Sequence, residues 1–389
     1  MDFKSAEAKT MRYLKPFIEK DLSKKMVFLG GPRQCGKTTL ARHILGQDPE
    51  AYLSWDDPDH HGRILKRRWA SASRLVVFDE LHKFPKWKSW IKGIYDSRPP
   101  GQSFLVTGSA RLDLYQRGGD SLLGRYHYWR LHPFSLWEHA GGFDPPEALR
   151  RLLTVGGFPE PFLDGDEREA RRWRRERYQR IVRDDIRDLE PLRSLPSLEL
   201  LLSLLRERVS STVTLSGLAR EIQVAPQTVG NWIEILSRMY LIFVVRPYVE
   251  NVARAVQKPF KVYFYDNLDV DCPEDRQSGA RFENLVATHL LKKVQFLEDY
   301  TGEKWELSFL RDRDGREVDF VVVRNGVAEE LVEAKCSGSD VARPLVHFAE
   351  KLNPAGAVQV VKDLRAPFSR GRLRVTDPIT YFASPPWSA

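Results

Sequence analysis

Cysteine is scarce and dispersed. Cys35, Cys272 and Cys336 are the only three in the 389-residue chain, with no C-x-x-C pair and no Cys/His cluster at zinc-ligand spacing. A disulfide framework and a structural zinc site are therefore not expected. Long apolar runs are missing too. Hydrophobic residues make up 42% of the chain and charged residues 29%, and no stretch approaches membrane-spanning length. The opening MDFKSAEAKTMRYLKPF mixes charges and offers neither a signal peptide's apolar core nor a cleavage site, so the expectation is a cytoplasmic protein with no membrane partner. No internal repeat and no low-complexity tail breaks the sequence. At this length two or three domains can each bury a core.

What the chain has in excess is arginine. The net charge is +8, and nine arginines fall between Arg168 and Arg187 against four acids. A helix laced with pairs such as Glu176–Arg180 and Arg180–Asp184 is one reading, and a surface facing nucleic acid or a protein partner is the other.

The N-terminal third alternates strands and helices, which implies a mostly parallel sheet. KKMVFLG is a strand running into a glycine loop, Lys37 to Leu45 the following helix, and RLVVFDE and SFLVTGS are buried-strand runs. The segment ends near GGFDPPEA, around Gly141 to Ala148. From Leu152 to about Pro247 the pattern is helical and contains a helix-turn-helix. Leu215 to Gln223 is a short helix, Val224-Ala225 the turn, and Pro226 opens a second helix. Leu218, Ile222, Val229, Ile233 and Leu236 supply its buried stripe, and LIFVVRPY reads as the strand of a wing. Beyond Lys261 come the amphipathic helix ARFENLVATHLLKKV and a β-rich stretch from Trp305 to Lys335.

Gly31-Pro32-Arg33-Gln34-Cys35-Gly36-Lys37-Thr38 fits G-x-x-x-x-G-K-[ST] at every position, between a strand and a helix. The glycines let backbone N–H groups face phosphate oxygens, and the helix N-terminus adds its positive end. This motif and Thr39 form the expected ATP contact. Lys37 reaches the β- and γ-phosphates and Thr38 ligates Mg²⁺. Asp79, after four apolar residues, is placed to hold Mg²⁺ through water, and Glu80 to polarise the attacking water. Thr107 or Ser109, at the end of FLVTGS, is the expected sensor of the γ-phosphate. Arg125 is the candidate arginine finger acting across a subunit boundary of a homo-oligomer, with a structural pairing to Glu138 as the alternative. Cys35 is expected to pack.

In the C-terminal part, Asp319 in EVDFVVV stands before Glu333 and Lys335 in LVEAK. Such a D…E-x-K arrangement suits metal-dependent phosphodiester cleavage: the carboxylates hold Mg²⁺ and the lysine orients or activates water. Glu333 and Lys335, two apart on a strand, share a face. Asp319 joins them if the hairpin turn is a three-residue loop, Arg324-Asn325-Gly326, pairing Val323 with Val327, and that loop is predicted. Asp312, Asp314 and Glu317 read as solvated turn charges.

Taken together, GPRQCGKTT, VVFDELHK, LVTGSARLD, GRYHYWRLHPFSLWE, GGFPEPF, ARFENLV and REVDFVV…LVEAK resemble one family, in an order more specific than any single string. The chain looks like the prokaryotic AAA-type P-loop ATPases that carry a C-terminal domain of unknown function resembling PD-(D/E)xK nucleases. The resemblance implies an α/β protein with an AAA-type ATPase domain at 1–150, a helical, winged-helix-like region at 151–255 and an α/β restriction-endonuclease-like domain at 256–389. It also implies that Glu283, at the border of the stripe formed by Phe282, Leu285, Val286 and Leu290, joins Asp319 and Glu333 as a metal ligand.

Two functions compete. In the first, ATP hydrolysis moves or remodels DNA through the middle region and the arginine-rich helix, and the C-terminal site binds or cuts nucleic acid. In the second, the chain is a nucleotide-dependent regulatory or defence switch whose winged-helix region contacts protein. The second draws on a recognition helix, Pro226 to Ser237, that offers only Gln227 and Asn231 as readers of base edges.

Overall fold

The computed structural model describes residues 12–69, 73–108, 122–138, 142–182, 195–249, 258–338 and 340–388. The chain divides into two compact units. One holds residues up to Pro133 with Arg238–Tyr240, and the other holds Phe134–Ser237 and Leu241–Ala389. The expected boundary at residue 255 falls inside the second unit.

The first unit is a five-stranded sheet in the order β2-β3-β4-β1-β5, with every pair parallel. The strands are β1 (Met26–Gly30), β2 (Tyr52–Ser54), β3 (Leu75–Asp79), β4 (Ser103–Thr107) and β5 (Tyr126–Arg130). Strands buried on both faces read as continuous apolar runs, and MVFLG is buried throughout. Phe28, Val76, Phe78, Phe104 and Val106 make one core, with Trp87, Ile91 and Ile94 from helix α3 (Trp87–Asp96) packed on it. Helices α1 (Lys15–Leu22) and α2 (Lys37–Leu45) precede and follow β1. Asp79 pairs with Thr107 across β3 and β4, and Thr107 with Leu29 across β4 and β1. The carboxyl ends of three strands are thereby brought level, the place where open α/β sheets bind ligands.

The second unit is built on a nine-stranded mixed sheet, β13-β14-β12-β11-β10-β9-β7-β8-β6. Its first part runs helix α5 (Leu195–Glu207), β6 (Thr212–Val213), α6 (Leu215–Ile222), α7 (Pro226–Arg238), β7 (Ile242–Pro247) and β8 (Phe260–Phe264). β8 pairs antiparallel with both β6 and β7. Thr214 caps α6 by accepting the Gly217 N–H, and the stripe of Leu218, Ile222, Val229, Ile233 and Leu236 is buried as expected. The rest comprises α8 (Glu274–Thr301), β9 (Trp305–Arg311), β10 (Glu317–Arg324), β11 (Val327–Lys335), α9 (Arg343–Leu352), β12 (Gly356–Val361), β13 (Phe368–Arg370) and β14 (Leu373–Thr376). β7 pairs with β9, so the strand read as a wing continues the C-terminal sheet.

The turn between β10 and β11 differs from expectation. Arg324 pairs with Val327, which leaves a two-residue loop of Asn325 and Gly326, both at positive φ. That loop alone would turn Asp319 away from Glu333. A bulge restores the register: Val323 pairs with Ala328 but Val322 with Glu330, so one extra residue sits in β11 and Phe320 comes opposite Val332.

The arginine-rich helix α4 (Glu167–Arg180) lies before α5 in this unit. It is capped by Asp166, whose side chain accepts the Arg168 and Glu169 N–H groups. Its arginines divide by face. Arg177 is buried with its guanidinium 4.0 Å from the Phe158 ring, and Arg174 donates to the Leu268 carbonyl. Arg168, Arg171, Arg172, Arg175 and Arg180 are exposed. Ion pairs join Arg171 to Glu167 and Arg172 to Glu169, and Asp184 lies outside the described residues.

Candidate functional site

The phosphate loop connects β1 to α2. Gly31, Gln34 and Gly36 hold φ values of 137°, 63° and 94°, so the loop curls with several residues in the left-handed region. At Gly31 a Cβ would lie 2.3 Å from the Leu131 carbonyl oxygen, so no side chain fits there. Cys35 is fully buried and its Sγ lies 3.4 Å from the same carbonyl, a packing role as expected. Arg12 braces the loop from below. Its buried guanidinium donates to the Cys35 carbonyl at 2.6 Å and to the His132 carbonyl. The ammonium of Lys37, 6% exposed, lies over the loop, 2.6 Å from the Pro32 carbonyl and 3.0 Å from that of Gly31. Thr39 is exposed in the first turn of α2.

Asp79 is surrounded by hydroxyls. Thr38 Oγ1 donates to its Oδ2 at 2.9 Å, Tyr52 Oη to the same oxygen at 2.5 Å, and Thr107 Oγ1 to Oδ1. A phosphate cradle, a helix-start threonine and a carboxylate on one threonine hydroxyl fit Mg²⁺–nucleotide. Lys37 and the loop N–H groups would hold the phosphates, and Thr38 and Asp79 the metal ion. Thr107 is thus placed at the site, whereas Ser109 lies outside the described residues. Tyr52 was not legible as a site residue, because β2 is a three-residue strand with no motif. Burial and the neighbouring Asp79 carboxylate raise its phenol well above the usual range, so it acts as a neutral donor. Tyr52→Phe removes one of two donors to Asp79 Oδ2. We expect a several-fold rise in the Mg²⁺ concentration needed for half-maximal ATP turnover, with stability changed by about 1 kcal/mol.

Glu80 follows Asp79 in a left-handed conformation, φ 55°, and its N–H donates to the Thr107 carbonyl at 3.0 Å. Its Oε2 lies 3.5 Å from His82 Nε2 and 3.7 Å from Lys83 Nζ. Burial raises the carboxyl above its usual range, against the opposing pull of Lys37 and Lys83. A carboxylate with raised basicity beside the phosphate loop is suited to take a proton from water.

Arg125 is elsewhere. Its carbonyl accepts the N–H of Met26, the first residue of β1, so it stands at the amino edge of the sheet, opposite the phosphate loop. Its guanidinium makes a two-point bond with Asp96, at 2.8 and 3.1 Å. Glu138, the alternative partner, bonds to Lys292.

In the second unit Asp319, Glu333, Glu283 and Lys335 do converge. Asp319 sits where β10 also shifts register against β9, between Val318 and Val321. The Asp319 N–H donates to Glu333 Oε2 at 3.3 Å, and Lys335 Nζ lies 2.6 Å from Glu333 Oε1. Sequence reasoning missed the residue at their centre, Lys261 of β8, which is 1% exposed. Its ammonium is 3.2 Å from Glu283 Oε1, 3.2 Å from Asp319 Oδ1 and 2.8 Å from Glu317 Oε1. Glu317 is therefore a buried-site partner, which corrects its reading as a solvated charge; Asp312 and Asp314 do pair with Arg316 in an exposed turn. Tyr263 Oη donates to Glu283 Oε1 at 2.6 Å. Burial and the nearby Asp319 raise the Glu333 carboxyl to about 7, and burial raises Glu283 as well.

A divalent ion does not fit this set. Asp319 Oδ1 accepts from Lys261 and Oδ2 from the Ala334 N–H, while Glu333 accepts from the Asp319 N–H and from Lys335. Among the described residues no group of three or more His, Cys, Asp or Glu is arranged to hold a metal ion. Glu283, Asp319 and Glu333, the expected metal ligands, are here engaged with Lys261, Lys335 and backbone N–H groups.

Residues 23–140 match the model of a family described as an AAA domain. Residues 146–267 and 278–379 match two further models, Domain of unknown function (DUF8612) and Domain of unknown function (DUF4143). Among relatives, the chain is 24% identical over 314 residues to the uncharacterized protein Rv2008c of Mycobacterium tuberculosis, covering 77% of this chain and 70% of that protein. It is 23% identical over 356 residues to the uncharacterized protein MJ1637 of Methanocaldococcus jannaschii, covering 76% and 74%. Among solved structures, the Aeropyrum pernix ORC1 protein in complex with DNA aligns at TM-score 0.34 and 14% identity, over 72% of this chain and 94% of that one. A STAND protein with a tetratricopeptide repeat sensor from Pyrococcus horikoshii aligns at TM-score 0.29 and 13% identity, over 76% and 49%. The match to the AAA domain spans the phosphate loop and the strands that end beside it. No helix among the described residues is long and apolar enough to cross a membrane.

Proposed function

We propose that the chain is a Mg²⁺-dependent ATPase whose hydrolysis is coupled to DNA bound by the second unit. The observation that carries the chemistry is the carboxylate of Asp79 on the Thr38 hydroxyl, with Glu80 next in the chain. Lys37 binds phosphate, Glu80 accepts the proton of the attacking water, and Thr107 holds Asp79 in place. Mg²⁺ held by Thr38 and Asp79 would supply positive charge against the phosphate oxygens. Placing Glu80 on a left-handed residue turns its carboxylate out of the strand direction toward the loop's end of the sheet. Arg125, at the opposite edge, has no part in this reading within one chain.

The DNA half rests on the exposed guanidinium groups of α4, Arg168, Arg171, Arg172, Arg175 and Arg180, and on the net charge of +8. Contacts of this kind bind the phosphate backbone and release counterions. Steady-state ATP turnover should therefore rise on adding duplex DNA, and the stimulation should fall steeply between 50 and 200 mM salt, the range over which several phosphate contacts lose orders of magnitude in affinity. Replacing Arg171, Arg172 and Arg175 by glutamine should remove the stimulation while leaving basal turnover unchanged.

One observation favours the switch. We read α5, β6, α6, α7, β7 and β8 as a winged helix, yet the Gln227 and Asn231 side chains of α7 bond to each other at 3.3 Å. A helix so poor in cations is a weak major-groove reader. Turnover indifferent to DNA at low salt would favour that reading, with ATP setting an assembly state.

A further inference from the structure

We infer that Lys261 is a tethered cation that takes the place of a divalent ion, so that the C-terminal carboxylate centre is closed to metal and does not cleave phosphodiesters. Three acids meet the ammonium directly, Glu283 from α8 and Glu317 and Asp319 from β10, at 2.8 to 3.2 Å. The lysine arrives from β8, inside the region matched by the first model of unknown function, whereas every acid lies in the region matched by the second or at its helix. One segment thus fills the centre that another builds. Lys261 is 1% exposed, and β8 is held between β6 and β7, so the ammonium is not a surface group that can swing aside.

A charged ammonium repels Mg²⁺ and engages carboxylate oxygens that the ion would need. The remaining oxygens of Asp319 and Glu333 already accept from the Ala334 and Asp319 N–H groups and from Lys335. Such a centre ties β8, β10, β11 and α8 together and leaves the D…E-x-K residues with a structural task. The inference is independent of the ATP site.

The test is Fe²⁺/ascorbate-directed backbone cleavage of the full chain without nucleotide, with fragments mapped by mass spectrometry. Wild-type protein should show no cleavage near Asp319 or Glu333. Lys261→Met, with the ammonium gone and the four acids left, should be cut at both places. Excess Mg²⁺ should suppress those cuts, and adding Asp319→Asn should abolish them. Circular dichroism reports whether Lys261→Met is folded. If it is not, Lys261→Met/Glu317→Gln, which leaves one fewer uncompensated charge, takes its place with the same expectation. Mg²⁺-competable cleavage at Asp319 or Glu333 in the wild type would overturn the inference. So would a folded variant lacking Lys261 that resists cleavage.

Discussion

Glu80→Gln should lower the ATP turnover number by about 10²- to 10⁴-fold, the span that a positioned general base contributes, while ATP still binds. Glutamine keeps the side chain's shape and its place after Asp79, and it cannot accept a proton. The residue sits beside Lys37 and Lys83 with its carboxyl raised by burial, so a wild-type turnover profile should rise with pH as Glu80 ionises. That acid limb should vanish in the variant. Binding of a fluorescent ATP analogue, measured beside single-turnover hydrolysis, separates the two effects. Lys37→Ala should give the complementary result, loss of binding itself, because the ammonium 2.6 Å from the Pro32 carbonyl is the proposed phosphate ligand. A Glu80→Gln protein that turns over ATP at the wild-type rate would remove Glu80 from the mechanism.

The second large effect is on stability. Lys292 and Glu138 have side chains 1% and 3% exposed, and the ammonium also donates to Ser135 Oγ at 2.9 Å. It lies 5.8 Å from the Trp387 ring as well. Removing one member of a buried pair strands the other charge, which costs about 3–5 kcal/mol. Lys292→Met should therefore destabilise the second unit by that amount in urea unfolding. The double variant Lys292→Met/Glu138→Gln should regain most of it, since no lone charge then remains. A Lys292→Met chain as stable as wild type would show that this pair is solvated in solution. Nearby, His289 accepts the Leu136 N–H at 2.9 Å and is held neutral by burial, its pKa lowered to about 3. The same segment is thus fastened to α8 by an uncharged bond as well as a charged one.

How much of this was legible depended on separation along the chain. The phosphate loop is eight consecutive residues, and Asp79 and Glu80 adjoin an apolar strand, so motif and strand pattern suffice for them. The helix-turn-helix was legible because its stripe repeats at helical spacing. The meeting of Asp319 with Glu333 was expected for the wrong reason: a bulge in β11 achieves what a longer turn was thought to do. A bulge leaves little trace in a run such as VAEELVEAK. Lys261 lies 58 residues before Asp319, on a strand whose neighbours pointed to the middle region, and nothing local marks a lysine in FKVYF as an internal counter-ion. Glu317 was misread because its partner was unseen. Arg125 was read as acting on a neighbouring subunit; a parallel strand beginning at Tyr126 puts it at the edge away from its own chain's loop, and strand direction alone says so.

The proposed chemistry lies at the phosphate loop, and the carboxylate centre is filled by the chain itself. The most direct measurement is a single reaction containing the full chain, ATP, Mg²⁺ and end-labelled DNA, assayed for inorganic phosphate and for DNA ends. Phosphate release that Lys37→Ala abolishes, with the DNA left intact, is the result predicted. DNA scission lost on Asp319→Asn, or phosphate release that survives Lys37→Ala, would contradict it.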